Sequence, residues 1–480
     1  VVPSMFGLSK IEKAAHQSST EEISQKLKLK NSYFTSNKAN GMLNSDGGAV
    51  IIVEADAIVE SCHFEGQRAK RYGGALFAEI SSVKLKNSEF INNKIDGNGV
   101  GGGGGIACLS ADFEIENVNI TNNKVNDVSN GGGGWFTFCK PMIQTSRWTM
   151  NEAKKGKGGA AYFGTMSNPR FLGRSLVPIS VNNNRASTGG GISCDNCEGL
   201  YAENVIISAN AAVNHGGGME LSNVPAAQIK GVTFDRCEAE TGSAGALYIY
   251  SSTNIDVQTT IFSKNKALKG GGGAILWGFE KVTMKTIQSL DDLPITLSAI
   301  TVQNNTASYG NFIASAIHSL FMVSGPTFNS RNPSLSKENS NTFEERIYQE
   351  SSAQNWEAVS GGHTPCKDCN DENKKQYLQV AVLDWYNRIV NTNSMIIKIT
   401  SSAALAGSLE VPSSQGIATF NDFIIISKPD DEVVIKFESD ETELSRGVDF
   451  NAKIRKCVKG EFLNEKSNMV CQMCGEGKYG

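Results

Sequence analysis

Two short motifs alternate down the first two-thirds of this 480-residue chain and restrict what it can fold into. One is an apolar residue, two spacers and an asparagine: Phe34-Thr35-Ser36-Asn37, Phe90-Ile91-Asn92-Asn93, Ile120-Thr121-Asn122-Asn123, Val181-Asn182-Asn183-Asn184, Ile207-Ser208-Ala209-Asn210, Phe262-Ser263-Lys264-Asn265 and Val302-Gln303-Asn304-Asn305. The other is a glycine doublet closing on an apolar residue, as in Gly47-Gly48-Ala49-Val50, Gly73-Gly74-Ala75-Leu76, Gly189-Gly190-Gly191-Ile192, Gly216-Gly217-Gly218-Met219 and Gly272-Gly273-Ala274-Ile275. Successive units start roughly 26 to 30 residues apart, the mark of a stacked repeat in which no single unit buries its own apolar face.

Between the motifs lie short alternating segments such as Val83-Lys84-Leu85, Phe113-Glu114-Ile115 and Ile255-Asp256-Val257. Period-two alternation broken by Gly and Asn reads as strands and turns. Two or three strands in about 28 residues leave no room for a helical crossover. Each unit is therefore one coil of a parallel β-helix, each strand bonding to its equivalent about 4.8 Å away.

The asparagine suits a corner because it tolerates the left-handed backbone conformation. Its amide both donates and accepts, so Asn37, Asn93, Asn123, Asn184, Asn210, Asn265 and Asn305 are expected to stack as an internal ladder. Gln67 and Cys237 stand where two coils lack the asparagine, and Cys237 predicts a local break. The glycines serve a second corner that excludes a Cβ. Gly101 to Gly105 and Gly131 to Gly134 are not followed by Gly-Lys-Ser/Thr, so they are read as corners and not as phosphate loops.

A net charge of −4 offers no basic footprint for nucleic acid, and no apolar run approaches the roughly 18 residues of a membrane span. The chain opens at Val1 and closes at Gly480 inside a cysteine-rich stretch, which reads as a piece of a longer polypeptide. Close cysteine pairs occur at Cys194/Cys197, Cys366/Cys369 and Cys471/Cys474, with Cys457 ahead of the last. They lie too far apart, and too far from clustered histidines, for a zinc site. Local disulfides in an oxidising, extracellular or cell-surface compartment are expected instead. Cys62, Cys108, Cys139 and Cys237 read as buried thiols, and Asn119 and Asn304 head glycosylation sequons.

The expected organisation is a cap over 1–26, the β-helix over 27–320, a polar linker over 321–375, a small β-sandwich over 376–452 and a truncated cysteine module over 453–480. Ser19-Thr20-Glu21-Glu22 reads as a capped helical turn. The pattern loosens between Cys139 and Val181, where an outward loop is expected, and again between Met284 and Leu297.

Three functions compete. A polysaccharide-active enzyme needs clustered carboxylates on one sheet face. Asp291-Asp292 and Asp430-Asp431-Glu432 fall off the coils, and His215 in Asn214-His215-Gly216 merely precedes a glycine corner. No catalytic residue, cofactor or metal is assigned. A carbohydrate-binding module would use exposed aromatics, for which Trp148 is the candidate, since Trp135 and Trp277 read as core. The favoured reading is an extracellular structural or adhesive rod of about ten coils, roughly 50 Å long by the strand spacing. Its expected partners are copies of itself, other surface proteins or glycans.

The paired Gly-Gly-Ala-apolar and Phe-x-x-Asn motifs over about residues 27 to 316 resemble the repeat of bacterial polymorphic outer-membrane proteins. That resemblance implies a right-handed, pectin-lyase-like parallel β-helix used in surface adhesion. The wider layout is similar to large protist surface proteins of ciliate type. There such repeats end in a segment like Ser308-Tyr309-Gly310-Asn311-Phe312, and an immunoglobulin-like domain with a Gly-x-Ala-Thr-Phe pattern follows, here Gly416 to Phe420. Growth-factor-receptor-type cysteine repeats come next, which Cys471 to Tyr479 resembles.

Overall fold

The computed structural model describes residues 26–40, 45–97, 101–126, 128–279, 292–324, 356–358, 378–392, 394–420, 423–439, 447–454, 456, 461–464 and 470–473. Among them there is no α-helix. They form two compact units, one reaching Gly278 and resuming over Ser289–Ile313, the other running from Ala314 onward. The expected cap, the Met284 insertion, Asp291 and the cysteines Cys366, Cys369, Cys457 and Cys474 lie outside the described residues.

The first unit is a parallel β-solenoid. One coil runs through Asp56–Glu60, His63–Glu65, Arg68–Ala69 and Leu76–Glu79, and the next through Ser82–Lys86, Glu89–Ile91, Lys94–Ile95 and Ile106–Leu109. Equivalent strands pair in parallel and build four sheets, called first to fourth in the order the chain visits them. The first spans Lys26–Lys30 to Ile295–Ser298 and the second Tyr33–Thr35 to Thr301–Gln303. The third spans Arg68–Ala69 to Lys266–Ala267, and the fourth runs from Val50–Val53 through Ile275–Gly278.

Alternation explains which side of each strand is inside. In the first sheet Ala57, Val59, Val83, Leu85, Phe113 and Ile115 are buried. One outward column changes sign from coil to coil as Lys30, Glu60, Lys86 and Glu116, with ion pairs Lys30–Glu60 and Lys86–Glu116, and Lys84–Glu114 pairs beside it. Each exposed pair is worth little, yet a slip of one coil sets like charges opposite each other. Second-sheet strands turn one column inward, in the register Phe34, Phe64, Phe90, Ile120, Trp148, Val181, Ile207, Phe234 and Phe262, of which Phe34 at the first coil is half-buried and the others are buried. The strand spacing stacks Phe34 on Phe64 and Phe64 on Phe90 at 4.8 and 4.6 Å, with rings 1° and 8° from parallel.

Nearly every corner places a residue in the left-handed region, the connection from Leu172 to Ile179 being an exception. In one coil these are Ser61, Gly66, Gly73 and Ile80, and in the next Asn87, Asn92, Gly103 and Ser110. The expectation that the ladder asparagine itself takes this conformation is corrected: the residue before it does. That residue is Asn in Asn92, Asn122, Asn183 and Asn304, but Ser36, Met150, Ala209, Arg236 and Lys264 in other coils. The glycine corner divides its labour. The first glycine supplies the positive φ, as Gly73 and Gly103 do, and the second allows contact between coils. Both long glycine runs are corners of this kind.

The stretch from Cys139 to Val181 is not an outward loop. It holds Met142–Gln144, Arg147–Thr149, Glu152–Lys157, Ala161–Phe163 and Arg170–Leu172, all in register with their neighbours. The sheet register shifts once here, between Ala153 and Lys157, where the third-sheet strand is six residues long instead of two to four.

In the second unit Leu378–Asp384 pairs antiparallel with Ile317–Ser324 and with Ile417–Phe420. Ile317–Ser324 therefore belongs to this unit and is not divided at residue 320 between a coil and a linker. A five-stranded sheet joins Trp356–Ala358, Val448–Ile454, Glu432–Glu438, Ile396–Ser401 and Glu410–Pro412. Phe420 of one sheet meets Phe437 of the other at 5.0 Å, so the two sheets face each other.

A Cβ on Gly74 would lie 2.0 Å from the Gly104 carbonyl oxygen, whereas on Gly66 the nearest atom is the Ser36 hydroxyl at 3.3 Å. Gly74→Ala should lower unfolding stability by about 3 kcal/mol or abolish folding, and Gly66→Asn should change it by under about 1 kcal/mol. Urea unfolding of the two variants checks this, and equal effects would contradict it.

Candidate functional site

The ladder is the densest polar feature inside the first unit. Asn93, Asn123, Asn151, Asn184, Asn210 and Asn265 are buried beside the second-sheet core, with Asn305 at the end. Asn123 shows the pattern. Its Oδ1 accepts from the Asn93 backbone N–H at 3.0 Å and from Asn93 Nδ2 at 2.9 Å. Its Nδ2 donates to the Phe90 carbonyl at 2.9 Å and to Asn151 Oδ1 at 3.0 Å. Both donor hydrogens and both acceptor directions are used, so the buried amide is fully satisfied. Asn151 and Asn184 repeat these bonds, and Asn265 repeats the donor half toward Asn305. Asn37, at the first coil, receives the column through its backbone N–H, which donates to Gln67 Oε1 at 3.0 Å.

Asn151 was missed by the sequence reading, although Trp148-Thr149-Met150-Asn151 fits the apolar-x-x-Asn pattern. Its coil carries the lengthened strand, which masks the spacing. At Cys237 the amide-to-amide contact stops, but the backbone half continues, since its N–H donates to Asn265 Oδ1 at 2.9 Å. The sulfur sits where the amide carbon sits elsewhere: a Cβ on Gly218 would be 3.3 Å from it, as one on Gly191 would be from Asn210 Cγ. Burial pushes the Cys237 thiol up to about 12, against the opposing pull of the Asn210 donors.

Cys194 and Cys197 form a disulfide within one coil. Cys108 and Cys139 form a second between adjacent coils, 31 residues apart in sequence, which corrects their reading as thiols. That separation is close to one repeat and was the available signal. Cys62 and Cys237 are buried thiols. Cys471 lies in Val470–Met473, which pairs with Glu461–Asn464. Asn304 is exposed at a second corner, while Asn119 faces outward on the second sheet and donates to Glu89 at 3.2 Å.

Trp148 is not a surface aromatic. It is fully buried, paired in register with Ile120 and Val181, and its indole N–H has no acceptor. Trp277 and Trp135 are both buried as expected, Trp135 in a separate apolar cluster on the side of its strand opposite Gly134 and Phe136. Tyr72 covers it at 4.8 Å, and Phe77 and Ala107 flank it.

Further along the same outer row, Tyr162, Ser193 and Glu220 occupy one register. Lys157 Nζ lies 2.9 Å from Asp195 and 3.4 Å from Glu220, and Ser193 Oγ donates to Glu220 at 2.7 Å. Burial pushes the Glu220 carboxyl up, and Lys157 pulls it back in part. Burial, with Asp195 adding to it, also takes the Tyr162 phenol up to about 12. Glu220 is only 3% exposed, and the cluster joins three consecutive coils along this outer row. His215 stacks on Tyr248 at 4.7 Å, accepts from the Ser243 N–H, and is shifted down by burial, which keeps it neutral. Among the described residues no group of three or more His, Cys, Asp or Glu is placed to hold a metal.

Compared with known protein families, curated proteins and solved structures, the chain matches none.

Cys237→Asn should complete the ladder and raise stability by about 1–2 kcal/mol, and Asn151→Ala should cost about 3 kcal/mol because it strands two Asn123 donors. Urea unfolding of the full chain tests both; a Cys237→Asn variant no more stable than the parent would count against the ladder as the stabilising element.

Proposed function

We propose that this chain is a non-enzymatic extracellular structural or adhesive protein, part of a larger surface or secreted polypeptide, in which the solenoid acts as a stiff rod that presents its outer faces to glycans or to other copies. The observation that supports this most is the fully satisfied amide column, whose bonds all run along the stacking direction. From Asn93 to Asn210 the inward amides are spent on one another and on backbone groups of the neighbouring coil. The disulfide between coils and the Lys157–Asp195–Glu220 cluster brace the same direction. Disulfides also suit an oxidising compartment.

On this reading the second unit is an immunoglobulin-like sandwich followed in the sequence by a cysteine-rich module, and Asn304 carries a glycan. The two facing sheets and the exposed position of Asn304 support these assignments.

Incubating the purified chain with pectic, alginate-type and chitin-type polysaccharides and measuring new reducing ends separates the rod from an enzyme. The expected outcome is no product above a heat-inactivated control, together with retention of the chain on at least one native surface. Product accumulation proportional to protein would overturn the proposal.

A further inference from the structure

The third sheet carries a charge pattern unlike that of the first. Its outward register begins Lys38, Arg68, Lys94, Lys124, one cation per coil, before Glu152 and Arg185. Over the same coils the first-sheet column Lys30, Glu60, Lys86, Glu116 alternates in sign, whereas this row repeats one sign at the strand spacing of about 4.8 Å. Asp96 bonds Arg68 at 3.1 Å and Lys94 at 2.9 Å, and Glu152 approaches Lys124 at 3.4 Å. The row is interrupted at Glu152, and Arg185 one coil further is held by Glu240 through two bonds.

Where the row is interrupted, the lengthened strand Glu152–Lys157 departs from register and sets Lys154 and Lys155 outward. Bulges of this kind re-aim side chains and occur beside binding sites. Gly156 makes this one possible, because a Cβ there would lie 1.9 Å from the Ser129 carbonyl oxygen. The result is an open recess of about 300 Å³ lined by Lys94, Lys124, Asn126, Glu152, Lys154 and Lys155.

We infer that this row and its recess bind an acidic polysaccharide laid along the solenoid axis, with one sulfate or carboxylate group in the recess and the following ones on Lys94, Arg68 and Lys38. The inference rests on the extracellular reading above and names its ligand class. Regularly spaced cations suit a polymer whose anionic groups recur along an extended backbone. Asn126 and Glu152 supply neutral and acidic partners for sugar hydroxyls. Among the described residues that line the recess there is no aromatic side chain on which a nucleic-acid base would stack.

The test uses the full chain on immobilised heparin and on polygalacturonate, eluted with rising salt. One variant carries Lys94→Gln, Lys124→Gln and Lys154→Gln; a charge-matched control carries Lys264→Gln, Lys266→Gln and Lys269→Gln at exposed sites elsewhere. The parent and the control should bind at least one of the two glycans, and the recess variant should bind about tenfold or more weakly with a shallower salt dependence. Failure of the parent to bind either glycan, equal binding by the recess variant, or displacement by single-stranded DNA at tenfold lower concentration than by free glycan would each overturn the inference. Shortening of the bound glycan would uphold this site and overturn the non-enzymatic reading; absent binding with intact glycan would do the reverse.

Discussion

The stacked corner amide is the interaction on which the rest of the first unit depends. A buried primary amide has four hydrogen-bonding capacities, and leaving any one unmet costs on the order of 1–3 kcal/mol. Only an identical group one coil above and one below satisfies all four here, so the side chain demands translation by one strand spacing. Other features follow from that demand. The aromatic core rings stack face to face at the same spacing, and the second corner glycine brings coil carbonyls within reach of its missing Cβ. The αL residue before each asparagine aims the amide inward.

Once the inside is committed to repetition, variation is confined to the outward positions, and the sheets use it differently. The first places opposite charges on successive coils, which penalises slippage. The fourth buries part of its outer row under corner side chains, and sinks an ion cluster there that ties three coils together. The third keeps one sign of charge along its early coils and interrupts its register once. A stack that is rigid inside and variable outside is suited to presenting surfaces over a distance.

Much of this was legible from spacing alone, because seven apolar-x-x-Asn units and five glycine doublets share one period. The coil around Trp148 was obscured by the two residues by which Ala153 to Lys157 outruns its partner Ala186 to Thr188, and by a tryptophan where its neighbours carry smaller apolar groups. Trp148 looked exposed only because its coil was unrecognised. The Cys108–Cys139 link needs knowledge of which residues meet diagonally across coils, which a repeat length suggests but does not determine. The Lys157–Asp195–Glu220 cluster unites residues from three coils, each unremarkable in its own stretch of sequence. The left-handed position was misassigned by one residue because Asn occurs at both places in Asn92-Asn93, Asn122-Asn123, Asn183-Asn184 and Asn304-Asn305.

Because each backbone N–H at the corner donates to the amide of the following coil, the ladder has a direction, and hydrogen exchange can read it. In an Asn123→Ala variant, the Asn93 N–H loses its acceptor, while the N–H of residue 123 still faces Asn151 Oδ1 at 3.0 Å. Residue-resolved exchange should therefore show protection lost at residue 93 and kept at 123. Unchanged protection at Asn93, or an equal loss at both, would contradict the stacked-amide column.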